Sequence, residues 1–465
     1  MRKITVIFGE NPSRIERRAL EELSKILLDY TLEYPVCIPC GTPPSEDSFK
    51  IYIGTRESNS YIAENTKAAL TKKESYRIKI GTDTVIIEGY DGAGVLYGVL
   101  DFYNEYLLAL EDNAAEEILC NPFVCESLAE FEYTCAPSVV ERGLWTWGHV
   151  IYDYRGYLDN MMRLKMNAVI IWNDFLPINA DEIIDYAHER NIKVYWGFAW
   201  LWDTKCNKFD LQRLEGQSEM IFEKYKREFA GARGDGIYFQ TFTELKEDNI
   251  DGVLIAKAAA DFVNKTASLF YSAYPELQIQ FGIHATSVKT RLDFIAEVDK
   301  RIRIVWEDCG AFPFSYLPSD IESFEKTAEL VDKIATLRGN DDLFGVVTKG
   351  LVKLDWLHFE HQGGRQCIGV CSESMRANRV ERKSRIWRRR QAYWLINSDK
   401  AKDMIDRMCR IKNGNLSIFA LVEDGMFEEN IAYPVALYSE LLWNTNADIR
   451  ETIPKVAMRD YVSFC

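Results

Sequence analysis

Histidine is scarce in this sequence, with five residues among 465, and the eleven cysteines are an odd and scattered set. Zinc sites use these two residue types at short, regular spacings, so the sequence argues against a metal centre. Cys37 and Cys40 have the spacing of a redox motif, but they lie in a connection rich in proline and glycine. A reactive thiol needs a helix N-terminus instead. We therefore predict reduced thiols and neither a metal nor another cofactor.

Long apolar runs and an excess of positive charge are also missing. The first nine residues, MRKITVIFG, hold a short strand-like run without a cleavage site, and no run is long enough to cross a bilayer. The net charge of −15 opposes nucleic-acid binding, which needs a basic surface. We expect a cytoplasmic protein with no membrane and no nucleic-acid partner, and the sequence leaves its oligomeric state open.

Apolar residues make up 47% of the chain, and its rings include 11 Trp and 24 Tyr. This composition excludes a disordered protein, and the length predicts two domains. Rings in such number fit either an aromatic core or the flat apolar platforms of a sugar-binding cleft.

The first 130 residues have the pattern of a small α/β sandwich domain. Apolar runs predict strands at 4–8, 49–54, 76–80 and 84–89, and helical spacing predicts helices at 13–30 and 92–106. Residues 107–140 are acidic at first, then contain cysteine and proline, and are predicted to be a linker.

The passage from Tyr76 to Phe102, YRIKIGTDTVIIEGYDGAGVLYGVLDF, resembles a known domain. It is similar to the N-terminal domain that precedes the barrel in glycoside hydrolase families 20, 67, 84 and 115. In those families the domain supports the barrel and carries no catalytic residue. The resemblance therefore implies that Gly89, Gly92, Gly94 and Gly98 serve tight turns and close packing of the helix on the sheet.

From residue 141 onward, strand-like runs alternate with amphipathic helices at the intervals that βα units require. Eight strands are predicted, at 142–147, 167–172, 193–199, 236–241, 278–284, 303–306, 344–348 and 416–421. The alternation and the missing dinucleotide fingerprint favour a (β/α)8 TIM barrel over an open doubly wound sheet. We assign the barrel to 141–445 and a C-terminal tail to 446–465.

Carboxylates follow four of these strands, and catalytic groups of such barrels lie where strands end. Glu244 follows the short apolar run of strand four, and Glu307 with Asp308 follows strand six. Two carboxylates across a barrel mouth can hydrolyse a glycosidic bond. We predict Glu244, Glu307 and Asp308 as catalytic residues. Because side chains alternate along a strand, only one of the last two can point inward, and we favour Glu307.

Other polar and aromatic residues near the strand ends are candidates for sugar binding. Arg142 is included because Arg142-Gly143 resembles the pair that opens the barrel in families 20 and 84, where the arginine binds sugar. The predicted substrate-binding residues are Arg142, Trp145, Trp147, His149, Trp172, Asp174, Trp200, His284, Trp306, Glu423 and Asp424.

The carboxylates at the strand ends predict a glycosidase acting on an oligosaccharide, and the family resemblance implies a substrate that contains a uronic acid or an N-acetylhexosamine. Thr243 precedes Glu244 where family 20 enzymes have the aspartate that orients an acetamido group, and the pair is closer to family 67, which implies inversion. A carbohydrate-binding barrel without catalysis is the main alternative. An aldolase or isomerase would need Lys349 as a Schiff-base lysine, and no phosphate loop accompanies it.

Overall fold

The computed structural model describes residues 3–108, 129–147, 150–201, 214–244, 248–284, 287–288, 290–308, 323–352, 360–361, 363–412, 414–423 and 425–464. The chain divides into two compact units. The first holds residues 1–137 and 188–191, and the second holds residues 138–187 and 192–465.

The first unit is built on one mixed sheet of six strands. They are β1 (Ile4–Phe8), β2 (Val36–Pro39), β3 (Phe49–Thr55), β4 (Tyr76–Ile80), β5 (Thr84–Gly89) and β6 (Phe131–Cys135), in the spatial order β2-β1-β3-β5-β4-β6. The helices of this unit are Arg14–Thr31, Ser60–Asn65 and Gly92–Asp101, the last continued by a π-helical turn at Phe102–Leu107. The long first helix begins at a capping box, in which Ser13 and Glu16 each accept from the other's backbone amide.

Glycines bring the helix Gly92–Asp101 close to the sheet, as the sequence predicted. A Cβ on Gly94 would collide with the carbonyl oxygen of Ser75, and one on Gly98 would lie 2.8 Å from the Ile87 side chain. Asp91 caps the helix by accepting from the Gly94 amide at 2.9 Å. The Gly-rich turn is thus used for packing.

The prediction of a linker over 107–140 is wrong for one segment. Phe131–Cys135 is the edge strand β6 and pairs with β4 in antiparallel register. Its residues alternate between more and less exposed positions, as in a half-buried strand. This short alternation was hidden by the acidic and cysteine-containing residues around it.

The second unit is a closed barrel of eight parallel strands, which confirms the predicted fold class. Strands one to eight of the barrel are β7 (Glu141–Trp145), β8 (Ala168–Trp172), β9 (Lys193–Gly197), β10 (Gly236–Phe239), β13 (Gln278–His284), β14 (Arg303–Glu307), β15 (Phe344–Leu351) and β16 (Leu416–Val422). Each strand pairs with its neighbours in the chain order, and β16 pairs with β7 to close the ring.

Alternate residues of each strand fill two separate apolar layers. On β7, for example, Leu144 belongs to the layer between strands and helices, whereas Trp145 belongs to the cluster inside the barrel. Every strand residue from Glu141 to Trp145 and from Ala168 to Trp172 is buried. Burial on both faces explains the nearly continuous apolar runs in the sequence.

The helices around the barrel agree with the predicted alternation. They are Tyr154–Arg163, Ala180–His188, Gln217–Glu228, Ile255–Ala273, Leu292–Ile295, Phe324–Thr336, Glu373–Lys412 and Tyr433–Trp443. The sequence pattern predicts a helix from Asn249 to Tyr274, but residues 249–254 form a small hairpin of β11 (Asn249–Ile250) and β12 (Val253–Leu254) instead of the first helical turn. Its turn at Asp251 and Gly252 has positive φ angles of 51° and 85°, which a helix excludes.

Residues 446–465, predicted to be a tail, contain regular structure. The side chain of Asp448 caps the helix Ile449–Ala457, and β18 (Val462–Ser463) pairs with β17 (Ile431–Ala432). Among the described helices, none combines the length and the apolar character needed to cross a bilayer.

Candidate active site

Aromatic side chains from three strands fill the barrel interior below its carboxyl-terminal mouth. Trp145 and Trp172 each lie edge-on to Tyr238, with ring centroids 6.0 Å apart in both pairs. All three are buried, and Trp172 is the most exposed at 6%. These rings form an apolar floor from which polar groups on strands four to eight rise.

Glu307 is the most deeply buried carboxylate of this floor. It has no exposed surface, and it accepts hydrogen bonds from Tyr238 Oη and Gln240 Nε2 while its other oxygen lies 2.9 Å from Lys349 Nζ. Gly282 leaves room for this arrangement, because a Cβ there would collide with both Tyr238 and Glu307. Burial alone would raise the pKa of Glu307, but the charge of Lys349 and the hydrogen bonds from Tyr238 and Lys349 act in the opposite direction, and the pKa is lowered. Glu307 is therefore ionised.

Lys349 connects this carboxylate with the aromatic floor. Its ammonium group is buried and lies 5.0 Å from the ring centroid of Trp145, in a cation–π contact. A Schiff-base lysine needs a neutral amine, whereas Lys349 is engaged in an ion pair with Glu307. This contact argues against the aldolase alternative.

Glu244 lies higher in the site, on the short 3-10 turn Phe242–Glu244 that follows β10. Its side chain is 31% exposed, and its carboxylate approaches His284 Nδ1 to 3.9 Å. Burial, followed by the positive charge of Lys349, lowers the pKa of His284 to about 3, against a smaller opposite effect of Glu307. The imidazole beside Glu244 is therefore neutral at ordinary pH.

Tyr238 lies within the electrostatic influence of both Glu244 and Glu307. Burial raises its pKa well above the usual value, and the negative charges of Glu307 and Glu244 raise it further. Strands four, five and six thus bring Glu244, His284 and Glu307 together, although the three residues span more than sixty positions of the chain.

Asp308 points away from these groups. Its carboxylate accepts from the backbone amide of Lys349 at 3.2 Å, and its charge acts on Tyr438 in the helix Tyr433–Trp443 outside the barrel. Glu307 thus faces inward and Asp308 outward, as the period of a strand requires. The prediction of Asp308 as a catalytic residue does not fit this placement.

Glu423 follows strand eight and borders a small cavity next to Trp145. It is 3% exposed, and Lys383 Nζ lies 3.5 Å from its carboxylate. Glu428 lines the same cavity and was not predicted from the sequence. Burial raises the pKa of Glu428 to about 7, although Arg379 acts in the opposite direction. This end of the barrel thus holds two further acids beside the aromatic floor.

The remaining predicted residues near the mouth have mixed placements. Trp147 adopts a positive φ of 41° and lies edge-on to His361 at 5.6 Å, next to Trp145. Asp174 accepts from the Ala199 amide at 2.8 Å, so it supports the loop after strand three. His149 and Asp424 lie outside the described residues.

Three residues predicted to bind substrate, Arg142, Trp200 and Trp306, do not point into the barrel. Arg142 donates to the backbone carbonyls of Val139 and Lys165 and lies over the Trp443 ring at 5.0 Å. Trp200 and Trp306 are buried in the apolar layer between strands and helices, so neither ring reaches the mouth. The Trp200 ring, for instance, stacks on Phe239 with centroids 3.7 Å apart. Sequence position near a strand end did not reveal the direction of the side chain.

Solved structures with a similar fold are glycoside hydrolases. CpGH84B matches with a TM-score of 0.57 at 11% identity over 97% of this chain and 70% of its own. A GH138 enzyme targeting pectin rhamnogalacturonan II matches with a TM-score of 0.54 at 12% identity over 97% of this chain. The GH115 4-O-methyl-alpha-glucuronidase BtGH115A, with specificity for decorated arabinogalactans, matches with a TM-score of 0.55 at 13% identity over 97% of this chain.

This chain has the fold of those glycoside hydrolases. It spans 52% of the length of the GH138 enzyme and 58% of that of the GH115 enzyme. No protein-family model and no curated protein sequence matches it. At these identities the likeness establishes the barrel and its N-terminal domain as a shared architecture.

Several polar groups of the site were missed in the sequence. Tyr238, Gln240 and Lys383 hold the carboxylates, yet each lies in an ordinary apolar or charged run. Lys349 lies on β15, the strand next to Glu307, two residues after Val347, which pairs with Glu307, whereas Tyr238 lies on β10, two strands away, so no local pattern in the sequence connects these side chains. Within the described ranges, no three His, Cys, Asp or Glu side chains are grouped as metal ligands.

Proposed function

We propose that this barrel hydrolyses a glycosidic bond and that Glu244 is the general acid. The main support for this proposal is the contrast between Glu244 and Glu307, whose negative charges both raise the pKa of Tyr238. Glu244 is partly exposed beside a neutral imidazole, whereas Glu307 is ionised and buried beneath it. A group that protonates a leaving oxygen must reach the substrate, and of these two only Glu244 has exposed surface.

Glu307 is better suited to keep neighbouring side chains in position than to attack the sugar. Both of its oxygens already accept hydrogen bonds or an ion pair from Tyr238, Gln240 and Lys349. We assign it a positioning role, in which its charge fixes the ammonium of Lys349 over the Trp145 ring. This role revises the prediction that Glu307 is the catalytic partner of Glu244.

Glu423 is the proposed second carboxylate. Strand eight is opposite strand four in a ring of eight, and Glu423 borders free space next to Trp145. An acid and a base on opposite sides of a scissile bond is the arrangement that glycoside hydrolysis needs. Lys383 Nζ lies 3.5 Å from one oxygen of this carboxylate.

A uronic acid is the proposed sugar. The position before Glu244 is the buried Thr243, so no carboxylate there can orient an acetamido group. The GH115 neighbour is named as a glucuronidase and the GH138 neighbour as acting on a pectin, a second reason to try acidic sugars first.

The test is turnover of aryl and natural glycosides by the purified chain and by Glu244→Gln. We expect the variant to lose about 10²–10⁴-fold on natural uronosides, the range for general acid catalysis. An activated aryl uronoside should lose much less, because its leaving group needs little protonation. Glu329→Gln, at an exposed site on the helix Phe324–Thr336, is the matched control and should keep full activity. Equal losses on both substrates would disprove the acid role.

A carbohydrate-binding barrel without catalysis is the second candidate. The complete engagement of Glu307 favours it, since a site built only to bind needs no free base. Binding of uronosides without turnover of any activated glycoside would establish this function instead.

A further inference from the structure

Arg379 is a buried arginine near the mouth of the barrel to which the proposed function gives no role. It lies in the second turn of the helix Glu373–Lys412, and only 1% of its surface is exposed. Burying a guanidinium group is costly unless its charge is paired and its N–H groups have acceptors. The partners of Arg379 therefore show which parts of the chain it holds together.

The guanidinium group contacts the segments that follow barrel strands one, seven and eight. Nη2 donates to the carbonyl oxygen of Val150, after strand one, at 2.6 Å. Nε lies 3.2 Å from Glu360, after strand seven, and Nη1 lies 3.2 Å from Glu428, after strand eight. The group also lies over the ring of Tyr152, 3.2 Å from its centroid. One side chain thus joins three segments that are far apart in the sequence.

Two further contacts support this arrangement. Glu428 also accepts from the backbone amide of Tyr152 at 3.0 Å, which joins the segments after strands one and eight directly. Gly425 leaves room for the arginine, because a Cβ there would lie 2.6 Å from Arg379 Cδ. The φ angle of Gly425 is 81°, which also favours glycine. The segment after strand eight is therefore shaped around Arg379.

This same segment begins with the proposed base. Glu423 lies two residues before Gly425. Lys383, one helical turn after Arg379 and thus on the same face of the helix, lies 3.5 Å from the Glu423 carboxylate. Two adjacent turns of one helix therefore hold Glu428 and Glu423.

A small cavity connects these contacts with the site. Val150, Gly425 and Glu428 line it, together with Glu423 and Trp145. Its volume is about 20 Å³, enough for one water molecule. The residues that Arg379 contacts thus form the wall next to which Glu423 lies.

We propose that Arg379 is a positioning residue, which fixes Glu423 in the site by holding the segments after strands one, seven and eight on the helix. The proposal rests on the proposed function, in which Glu423 is the base or nucleophile. A lysine keeps the positive charge of Arg379 but lacks the planar fork that points at three partners. Arg379→Lys is therefore the variant that tests positioning.

The first experiment is hydrogen exchange of the full chain without substrate, followed by mass spectrometry. It is run above the pKa of about 7 to which burial raises Glu428, so that the ion pair is present. In Arg379→Lys we expect faster exchange both in peptides with Tyr152 and in peptides with residues 425–428. Barrel strands such as Ala168–Trp172 should exchange as in the parent chain.

Arg376→Lys is the matched control for this experiment. Arg376 lies one turn before Arg379 and also pairs with the segments after strands one and eight, through Asp153 and Glu429. Its side chain is 25% exposed, so these ion pairs contribute little, and exchange should resemble that of the parent chain. Unchanged exchange in Arg379→Lys, or faster exchange in only one of the two segments, would overturn the proposal whether or not the chain hydrolyses a glycoside.

The second experiment is a double-mutant cycle on an activated aryl uronoside. Arg379→Lys should lower kcat by about 10²-fold, the loss that a displacement of about 1 Å can cause, and leave KM near that of the parent chain. In a Glu423→Gln chain the same substitution should cost little more, because the base that it displaces is already gone. An equal loss in both chains would show a general effect on folding and would overturn the proposal.

Failure of the proposed function has a different outcome. A parent chain that hydrolyses no glycoside would contradict hydrolysis, while the exchange experiment would still decide whether Arg379 holds the segments together. Thermal unfolding shows whether Arg379→Lys is folded. If it is not, Gly425→Ala, which keeps the guanidinium group and displaces Arg379 Cδ, replaces it with the same expected results in both experiments.

Discussion

Replacing Lys349 by methionine tests the charge arrangement at the centre of the barrel. The substitution removes the only cation in contact with Glu307 among the described residues and leaves a carboxylate with no exposed surface. Removing one partner of a buried ion pair typically costs about 3–5 kcal/mol of the free energy of unfolding. The full range applies here because both side chains are at least 98% buried, with 2% of Lys349 and none of Glu307 exposed.

The pH dependence gives this loss a signature. In the parent chain the pKa of Glu307 is lowered, so its contribution to stability is present above its unfolded-state pKa of about 4.3 and is lost as the pH falls through the folded value. In Lys349→Met, burial remains and its main counter-charge is gone, so the pKa should rise above the unfolded value. The deficit should then be largest at neutral pH and shrink by up to about 1.4 kcal/mol per pH unit while Glu307 takes up a proton.

Urea unfolding followed by tryptophan fluorescence at neutral and mildly acid pH measures this effect. The double variant Lys349→Met/Glu307→Gln should recover most of the loss, because a glutamine oxygen still accepts from Tyr238 and no charge remains unpaired. Lys402→Met, in a partly exposed helical pair with Asp406, is the control and should cost only about 0.3–0.5 kcal/mol. A deficit that is the same at both pH values, or a double variant no more stable than Lys349→Met, would refute the reasoning.

Three further outcomes are expected. Trp200→Ala should lower the free energy of unfolding by about 3–5 kcal/mol without changing KM. Trp172→Ala, in the floor of the site, should lower stability and also change KM. A change of KM in Trp200→Ala would show that Trp200 is a binding residue after all. His284 should titrate near pH 3 by NMR, so stability falls as the pH drops below about 6.5, where the unfolded chain takes up the proton first. We predict from the Thr243–Glu244 pair that proton NMR of the first product anomer shows inversion; a retained anomer would refute this prediction and indicate carboxyl groups only about 5–5.5 Å apart.

The architecture of the barrel could be predicted because its signals are local. Each strand, such as Ala168–Trp172, is buried on both faces and therefore appears as an apolar run, and each helix shows its own period. Errors occurred where a local pattern was short or mixed. Phe131–Cys135 was hidden in a charged segment, and the hairpin 249–254 preceded a strong helical pattern and was counted with it.

The sequence by itself determined that a parallel barrel follows a sandwich domain and that acids collect at strand ends. These properties depend on period and residue type along the chain. Only the tertiary structure decided which of these side chains meet. Glu307 points inward and Asp308 outward because β14 enters the barrel in one register, and a shift of one residue would exchange them. In the same way, Trp145 points into the barrel and forms part of the floor, while Trp200 packs in the layer between strands and helices. The direction of a side chain depends on pairing between strands that are distant in sequence.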